Sequence, residues 1–218
     1  MSLPDWSALI LAGGAGRRFG GGKLLAWFGG EPLIRRTAER IAAAGFAETL
    51  VVTGAGGAAI RAALAGLGCR IIHADDWEEG MAATLRTGIA AVPPEAAGAC
   101  VFLGDMPLVP VSLCPTLIQA ASEAGYAARS RFEGKPGHPV AFTRAAFADL
   151  LTLEGDQGAT ALLKKRPGEV AYCETTDAGA LLDIDTSEDL AVVERAWKAC
   201  ATSATSDSAT SRGALPNP

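Results

Sequence analysis

The first residues that could do chemistry lie near the start of the chain, in the stretch LAGGAGRRFGGGK of residues 11–23. Six of these thirteen residues are glycine, and Arg17, Arg18 and Lys23 are cationic. Glycine lets a backbone turn sharply and point several N–H groups at one ligand, and such concave sets of N–H groups bind anions. Together with the three cations, they predict a loop that binds a polyphosphate. The alternative is a mobile solvated loop, which would carry the entropic cost of six glycines without a structural return.

Two common phosphate-binding motifs do not fit this loop. A Walker A loop has a glycine separated by four residues from its Gly-Lys pair and a Ser or Thr after it, but Arg17 and Leu24 occupy those positions. The dinucleotide fingerprint G-x-G-x-x-G is missed because Phe19 holds the position of the third glycine, and only a looser G-x-G-x-x-x-G remains. The second predicted strand also ends at Thr53 without an acidic residue for a ribose diol. The loop therefore fits neither a Walker A motif nor the strict dinucleotide fingerprint, and a polyphosphate remains its predicted ligand.

Two aspartates follow predicted strands and could hold a metal ion. Asp105 comes after CVFLG, and Asp185 comes after LLDI. Ligands of parallel sheets gather outside the carboxyl ends of the strands, and Mg2+ prefers carboxylate oxygen. We therefore predict Mg2+, with Mn2+ as an alternative, at Asp105 and Asp185. Two structural interpretations stay open: Asp105 could cap its own turn, and Asp185 could complement the dipole of a helix that opens with the capping box TSED.

The elements that must position these residues follow from an alternation of short apolar runs and amphipathic stretches. Predicted strands cover residues 7–12, 49–53, 69–74 and 99–104, and predicted helices cover residues 32–44, 58–67, 81–92 and 111–124. This order implies right-handed βαβ units, so we predict an α/β fold with a mostly parallel sheet and helices on both faces. The stretch FEGKPGHPVAF is turn-rich, and beyond it we predict helices at residues 143–151, 157–165 and 187–199 and a strand at residues 169–174. We predict one domain, residues 1–200, and a disordered tail, residues 201–218, which has too little apolar mass to pack.

Composition disfavours several classes of function. The 218 residues carry a net charge of −5, whereas nucleic-acid binding requires a basic surface. The five cysteines form no C-x-x-C pair and leave one over, which disfavours both a disulfide framework and a zinc site. No apolar run approaches the ~20 residues of a membrane span, and the N-terminus lacks a basic segment that leads into an apolar one. We expect a cytoplasmic protein that engages neither nucleic acid nor membrane.

The glycine loop resembles that of the MobA-like nucleotidyltransferases. Five further segments occur in the order found in the molybdenum cofactor cytidylyltransferases, the MocA-like branch: EGMAATLRTGI, FLGDMPLV, GHPVAF, GDQGATALL and LDIDTSEDL. The resemblance covers roughly residues 5–199. It implies the Rossmann-like three-layer fold of the nucleotide-diphospho-sugar transferases. It also implies Mg2+-dependent transfer of CMP from CTP to the phosphate of molybdopterin, with release of pyrophosphate and delivery of the product to a molybdenum hydroxylase.

The resemblance implies roles for individual residues. Arg18 and Lys23 would be catalytic, because they neutralise the triphosphate and the departing pyrophosphate. Asp105 and Asp185 would hold the metal, with Asp183 in a supporting position, and His138 would lie on the acceptor side. The nucleotide would contact Leu11, Ala12, Gly13, Gly14, Ala15, Gly16, Arg18, Lys23, Thr53, Gly80, Thr84 and Asp105.

Other interpretations remain open. The segment around Thr84 lacks the GPLAG run expected of guanylyltransferases, whereas LAGG departs from the LAAG of many cytidylyltransferases. GTP or another triphosphate, with molybdopterin or a different phosphorylated acceptor, is therefore an alternative. An NADP-dependent oxidoreductase would use the looser glycine spacing, and a non-catalytic molybdopterin carrier would keep the fold alone. Thr84 and His138 could both be structural, and Asp156 is predicted to cap a helix that begins at Gln157.

Overall fold

A seven-stranded sheet forms the centre of the molecule, with a hydrophobic core cluster on each face. The structure is a computed structural model that describes residues 3–156 and 158–210. The strands in this range are β1 (Trp6–Ala12), β2 (Trp27–Phe28), β3 (Glu31–Pro32), β4 (Glu48–Thr53), β5 (Cys69–His73), β6 (Gly98–Leu103), β7 (Ala127–Phe132), β8 (Lys135–Thr143) and β9 (Val170–Glu174). The α-helices are α1 (Leu33–Ala42), α2 (Gly57–Ala63), α3 (Met81–Ala90), α4 (Cys114–Ala124), α5 (Phe147–Leu150), α6 (Thr160–Lys164) and α7 (Ser187–Thr210).

The strands of the large sheet lie in the order β5-β4-β1-β6-β8-β7-β9. β1 pairs in parallel with β4 and β6, β4 pairs in parallel with β5, and β7 pairs in parallel with β9. β8 is antiparallel to both β6 and β7. β2 and β3 form a separate two-stranded sheet. The predicted α/β fold with a mostly parallel sheet is therefore confirmed.

The central strand β1 is buried on both faces, as its apolar sequence predicts. Ala8 and Ile10 belong to the core cluster that α1, α2 and α4 cover, and Leu9 belongs to the cluster on the α3 and α5 side. Parallel strands covered on both faces have near-continuous apolar sequences for this reason. The carboxyl end of β1 thus leads the glycine loop out of the middle of the sheet, which is where ligands bind in open α/β folds.

The stretch of residues 132–142 differs from its prediction, whereas the strand and helices predicted beyond it are present as β9, α5, α6 and α7. The turn-rich stretch forms the hairpin of β7 and β8, so much of it is extended strand. The register shifts between Arg129 and Arg131, so Pro139 lies in an irregular stretch of the ladder, whereas Pro136 is the partner of Arg131. Proline and glycine are typical of turns, and the sequence alone therefore indicated a loop.

Two further differences lie near the C-terminus. Helix α6 begins at Thr160 and its preceding residue is Ala159, so Asp156 does not cap it; Gln157 lies outside the described residues. The backbone of α7 is helical through Thr210, although the sequence predicts disorder from residue 201, and residues 211–218 lie outside the described residues. The domain boundary at residue 200 stays a prediction.

In the described part of the chain, no helix combines the length and apolar character that a membrane span requires.

Candidate active site

The glycine loop leaves the carboxyl end of β1 and folds into two short 3-10 turns. Gly16 has a φ of 61°, and a Cβ on it would stand 3.0 Å from the Cβ of Lys23. Glycine is thus required where the loop doubles back on Lys23. Among the described residues, the backbone N–H groups of Gly14, Ala15 and Gly16 find no acceptor. They remain available to bind phosphate oxygens.

Two further glycines bring the walls of the site together. A Cβ on Gly13 would lie 2.3 Å from Thr84 Oγ1, so the first turn of α3 packs directly on the loop. Gly80 precedes α3 with a φ of 118°, and a Cβ on it would lie 2.5 Å from Asp156 Oδ1. The glycine loop, the start of α3 and the segment before α6 therefore form three sides of one cleft.

Lys23 joins two aspartates that are far apart in the sequence. Its Nζ donates to Asp105 Oδ2 at 2.7 Å and to Asp185 Oδ1 at 2.9 Å. Arg18 Nη1 donates to Asp185 Oδ2 at 2.9 Å. The side chains of Lys23 and Asp105 are 12% and 18% exposed, whereas that of Arg18 is 80% exposed. A polyphosphate that enters from solvent would therefore meet Arg18 before it reaches the more buried charges around Lys23.

Local structure explains why these carboxylates face the cleft. Asp105 lies two residues after β6, and its carbonyl accepts a hydrogen bond from the N–H of Ile184 at 3.2 Å. This bond ties the loop after β6 to the segment that carries Asp185. The capping box forms at the start of α7, where Asp189 Oδ2 accepts from the N–H of Thr186 at 2.8 Å and the Thr186 hydroxyl accepts from the N–H of Asp189 at 3.2 Å. The side chain of Asp185 is therefore left for the cations of the cleft.

The charges of this site shift its protonation equilibria. Burial disfavours the charged form of Lys23, but the carboxylates of Asp105 and Asp185 outweigh it and raise the pKa of the ammonium. The hydrogen bond from Lys23, with a further contribution from Arg18, lowers the pKa of Asp185. Burial, together with the negative charges of Asp105 and Asp185, raises the pKa of Asp183. At neutral pH the site thus holds a protonated Lys23 and an ionised Asp185.

The donor set fits a hard divalent cation that is shared with a nucleotide. Asp105 Oδ1 is buried and has no hydrogen-bond partner among the described residues, so one oxygen is available beside the one that binds Lys23. Within residues 3–156 and 158–210, no group of three or more His, Cys, Asp or Glu side chains is arranged to hold a metal by itself. Mg2+ is often held by one or two carboxylates plus substrate phosphates, and Asp105 and Asp185 offer two carboxylates.

A cleft of about 530 Å³ opens onto these charges, which is large enough for a nucleotide. The predicted site residues that line it are Leu11, Gly13, Gly14, Ala15, Gly16, Arg18, Lys23, Gly80, Thr84, Asp105 and Asp185. Arg17, Asp156 and Asp183 line it as well.

Some lining residues were missed by sequence reasoning. Trp77, Glu78 and Met81 contribute to the cleft, as does Leu103. The signal that could have found them is their position, because the first three flank Gly80 and Leu103 ends the strand that precedes Asp105. Trp77 adds an aromatic face to a cleft that is otherwise mostly glycine and charge.

Three predicted site residues lie outside the lining. Ala12 is buried within β1, and the hydroxyl of buried Thr53 donates to the carbonyl of Ile72 at 3.1 Å, which gives it a structural partner. His138 lies in β8 with its Nδ1 3.5 Å from the carbonyl oxygen of Val101. The nucleotide contacts of Ala12 and Thr53 and the acceptor contact of His138 therefore stay predictions, without support from the shape of the cleft.

One protein-family model matches most of this chain. Residues 8–170 match the model described as the MobA-like NTP transferase domain. The chain belongs to the MobA-like NTP transferase family. It is therefore a nucleotidyltransferase, as the glycine loop and the sequence segments that follow it predict.

Several proteins are similar to this MobA-like chain over most of its length. Nicotine blue oxidoreductase of Paenarthrobacter nicotinovorans is 31% identical over 198 residues, which are 86% of this chain and 96% of that protein. The crystal structure of Rv0371c from Mycobacterium tuberculosis H37Rv has a TM-score of 0.77 at 28% identity and covers 89% of this chain and 100% of that chain. A structure of Rv0371c in complex with manganese has a TM-score of 0.71 at 26% identity and the same coverage, 89% and 100%. A divalent metal is therefore found with a structural relative of this protein.

The fold also extends to a more distant structure. Molybdopterin-guanine dinucleotide biosynthesis protein A from Archaeoglobus fulgidus has a TM-score of 0.67 at 20% identity, and the match covers 88% of this chain and 98% of that chain. At this identity the likeness shows the fold alone. The predicted Rossmann-like three-layer nucleotidyltransferase fold is thereby confirmed for the MobA-like chain.

Proposed function

We propose that this MobA-like nucleotidyltransferase transfers CMP from CTP to the phosphate of molybdopterin, with Mg2+ as the divalent cation. The products are molybdopterin cytosine dinucleotide, which a molybdenum hydroxylase would receive, and pyrophosphate. The observation that carries the proposal is that Asp105 and Asp185 meet at Lys23, beside the glycine loop. The backbone N–H groups of residues 14–16 in that loop have no acceptor among the described residues. The choice of CTP and molybdopterin is supported by the sequence segments that resemble those of cytidylyltransferases.

The reaction joins two anions, so the protein must supply position and positive charge. An oxygen of the acceptor phosphate forms a bond to the α-phosphorus of the nucleotide, and the bond from that phosphorus to the bridging oxygen of pyrophosphate breaks. The N–H groups of Gly14 and Ala15 hold the triphosphate, while Arg18 and Lys23 neutralise the charge that gathers on pyrophosphate. When bound by Asp105, Mg2+ would polarise phosphoryl oxygens.

Lys23 has two sets of partners in this proposal. In the structure it donates to Asp105 and Asp185, which are the predicted metal ligands. It must release these oxygens and donate to phosphate oxygens when the nucleotide binds. An ammonium on a flexible four-carbon stem is suited to this exchange, because its three donors have no fixed plane.

A panel of triphosphates tests the proposal. Purified protein is incubated with molybdopterin, Mg2+ and one triphosphate at a time: CTP, GTP, UTP or ATP. Pyrophosphate release is followed, and the mass of the product is determined by mass spectrometry. We expect release with CTP and a product that corresponds to molybdopterin plus CMP. Turnover with GTP alone would assign a guanylyltransferase instead. Asp105→Asn is the inactive control, because it keeps the shape of the side chain and removes its charge.

Redox chemistry is the second outcome that the experiment must distinguish, because one relative bears the name nicotine blue oxidoreductase. The structure offers little for a dinucleotide: β4 ends at Thr53 and is followed by Gly54, Ala55 and Gly56, so the acidic residue that binds a ribose diol is missing there. Saturable NADPH binding without a divalent ion, together with no pyrophosphate release from any triphosphate, would overturn the transferase proposal.

A further inference from the structure

Arg129 is a buried cation without a carboxylate partner among the described residues. It is 9% exposed. Its Nε donates to the carbonyl of Gly137 at 3.0 Å, its Nη1 donates to the hydroxyl of Thr160 at 3.0 Å, and its Nη2 reaches the carbonyl of Pro136 at 3.5 Å. All three acceptors are neutral. Buried charges in proteins are normally paired with an opposite charge, because removal from water strongly disfavours the charged form.

The guanidinium retains donors that these contacts do not use. Arginine has five N–H groups, and the contacts with described residues engage three of them. Thr160 is exposed, so the Nη1 end of the side chain lies nearest the solvent. Burial lowers the pKa of Arg129, and only Tyr172 acts in the opposite direction. Within the described part of the protein, no carboxylate therefore pairs with this buried cation.

The neighbouring His138 does not supply that counter-ion. Burial and the charge of Arg129 lower the pKa of His138 to about 4. The imidazole is therefore neutral at physiological pH. It adds a polar ring beside the guanidinium but neither a second positive charge nor a negative one.

The topology puts Arg129 on the far side of Asp105 from the glycine loop. The glycine loop follows β1, Asp105 follows β6, and Arg129 lies on β7, in the sheet order β1-β6-β8-β7. Arg129 and Val101 both pair with Val140 of β8. The backbone of Arg129 therefore lies two strand spacings, ~10 Å, from that of Val101 on β6. The strand order therefore places Arg129 and the glycine loop on opposite sides of β6.

A contact connects Arg129 to the wall of the cleft. Its partner Thr160 begins α6 and follows the segment in which Asp156 lines the cleft. In the same segment, a Cβ on Gly158 would lie 3.1 Å from the sulfur of Met81, another lining residue. The guanidinium is therefore in contact with the residue that follows the Asp156 side of the cleft.

We propose that Arg129, with the hydroxyl of Thr160 and the ring of His138 beside it, binds an oxyanion of the second substrate. The oxyanion is a phosphate or carboxylate group at a distance from the transferred nucleotide. The inference rests on the proposed function, because the acceptor is the molecule that must occupy this side of Asp105. If Arg129 serves only to hold the carbonyls of the β7–β8 hairpin, anions will have no effect that depends on it.

Kinetics with both substrates test this site. Arg129→Gln should raise the KM for the acceptor by about 10- to 100-fold, since it removes charge-assisted hydrogen bonds, while the dissociation constant of CTP changes less than about twofold. Arg129→Lys keeps the charge and should recover part of the loss. Arg131→Gln is the matched control, because Arg131 lies on the same strand but pairs with Glu174. An unchanged acceptor KM in folded Arg129→Gln protein, or an equal loss of affinity for both substrates, would overturn the proposal.

Inorganic phosphate tests the site without turnover. With CTP present to fill the glycine loop, phosphate should raise the melting temperature of wild-type and Arg131→Gln protein but not of Arg129→Gln protein. If CTP does not bind, the same comparison in a Lys23→Met background removes the contribution of the loop. If Arg129→Gln does not fold, Thr160→Val must weaken the phosphate effect, and an undiminished effect refutes the site.

The two proposals can fail separately. Phosphate stabilisation that depends on Arg129, in a protein that transfers no CMP, would overturn the proposed function and leave the anion site standing. CMP transfer with an acceptor KM and a phosphate response that are both indifferent to Arg129 would overturn the anion site alone.

Discussion

Replacement of Lys23 by methionine should tighten metal binding while it slows catalysis. The ammonium of Lys23 donates to both predicted metal ligands, to Asp105 at 2.7 Å and to Asp185 at 2.9 Å. A divalent cation can bind these carboxylates only if the two hydrogen bonds are broken, so their free energy is subtracted from that of metal binding. Methionine keeps most of the length of the side chain and removes its charge.

The size of the effect follows from the geometry. A hydrogen bond between charged groups contributes about 1.5–3 kcal/mol. Asp185 is 39% exposed, so water screens the second bond. We therefore take about 2–3 kcal/mol for both bonds together. At about 1.4 kcal/mol for each factor of ten, the variant should bind Mn2+ about 30- to 150-fold more tightly in the absence of nucleotide.

Electron paramagnetic resonance of free Mn2+ measures this affinity directly. Pyrophosphate release by the same Lys23→Met protein should fall by at least about two orders of magnitude, because a preorganised charge at the leaving group is lost. Lys164→Met, which changes an exposed lysine of α6, is the matched control and should alter neither quantity. Equal or weaker Mn2+ binding by Lys23→Met would refute the reasoning that Lys23 and the metal compete for the same oxygens.

Three other predictions follow from the structure. Asp105→Asn should lower pyrophosphate release by about 100- to 1,000-fold and weaken Mn2+ binding, and a variant with full activity would remove Asp105 from the site. Gly80→Ala should raise the KM for the nucleotide and lower the melting temperature, because φ is 118° and the new Cβ would meet Asp156; unchanged values for both would contradict the close approach. The pKa of His138 is about 4 in the folded protein and about 6.5 in the unfolded protein, so the unfolded state binds more protons between these two values. The free energy of unfolding should therefore fall as the pH drops through this range, by up to about 1.4 kcal/mol per pH unit. Denaturant titrations of wild-type and His138→Gln protein at pH 7 and 4.5 measure that contribution, and identical pH dependence would exclude His138 as its source.

Much of the fold and part of the site were predictable from local sequence. The apolar runs of β1, β4, β5 and β6 specify strands because both faces of a parallel sheet are covered. In the helices between them, apolar residues recur with the helical period. The glycine loop is recognisable from residue types alone, since few other sequences allow so many positive φ angles together. The capping box of Thr186 and Asp189 is equally local, because both residues belong to one turn. These features depend on neighbours in the chain, which a single sequence records.

Only the tertiary structure decided the features that depend on distant residues. Lys23 is separated by 82 positions from Asp105 and by 162 positions from Asp185, and the packing of β1, β6 and the start of α7 brings them within hydrogen-bond distance. The reversed direction of β8 and the burial of Arg129 likewise arise when β6, β7 and α6 assemble, although RSRF reads as a polar segment. Residue type sets what a side chain can bind. Which partner it meets, and whether water still reaches it, is set by the packing of whole elements, and no local pattern encodes that packing.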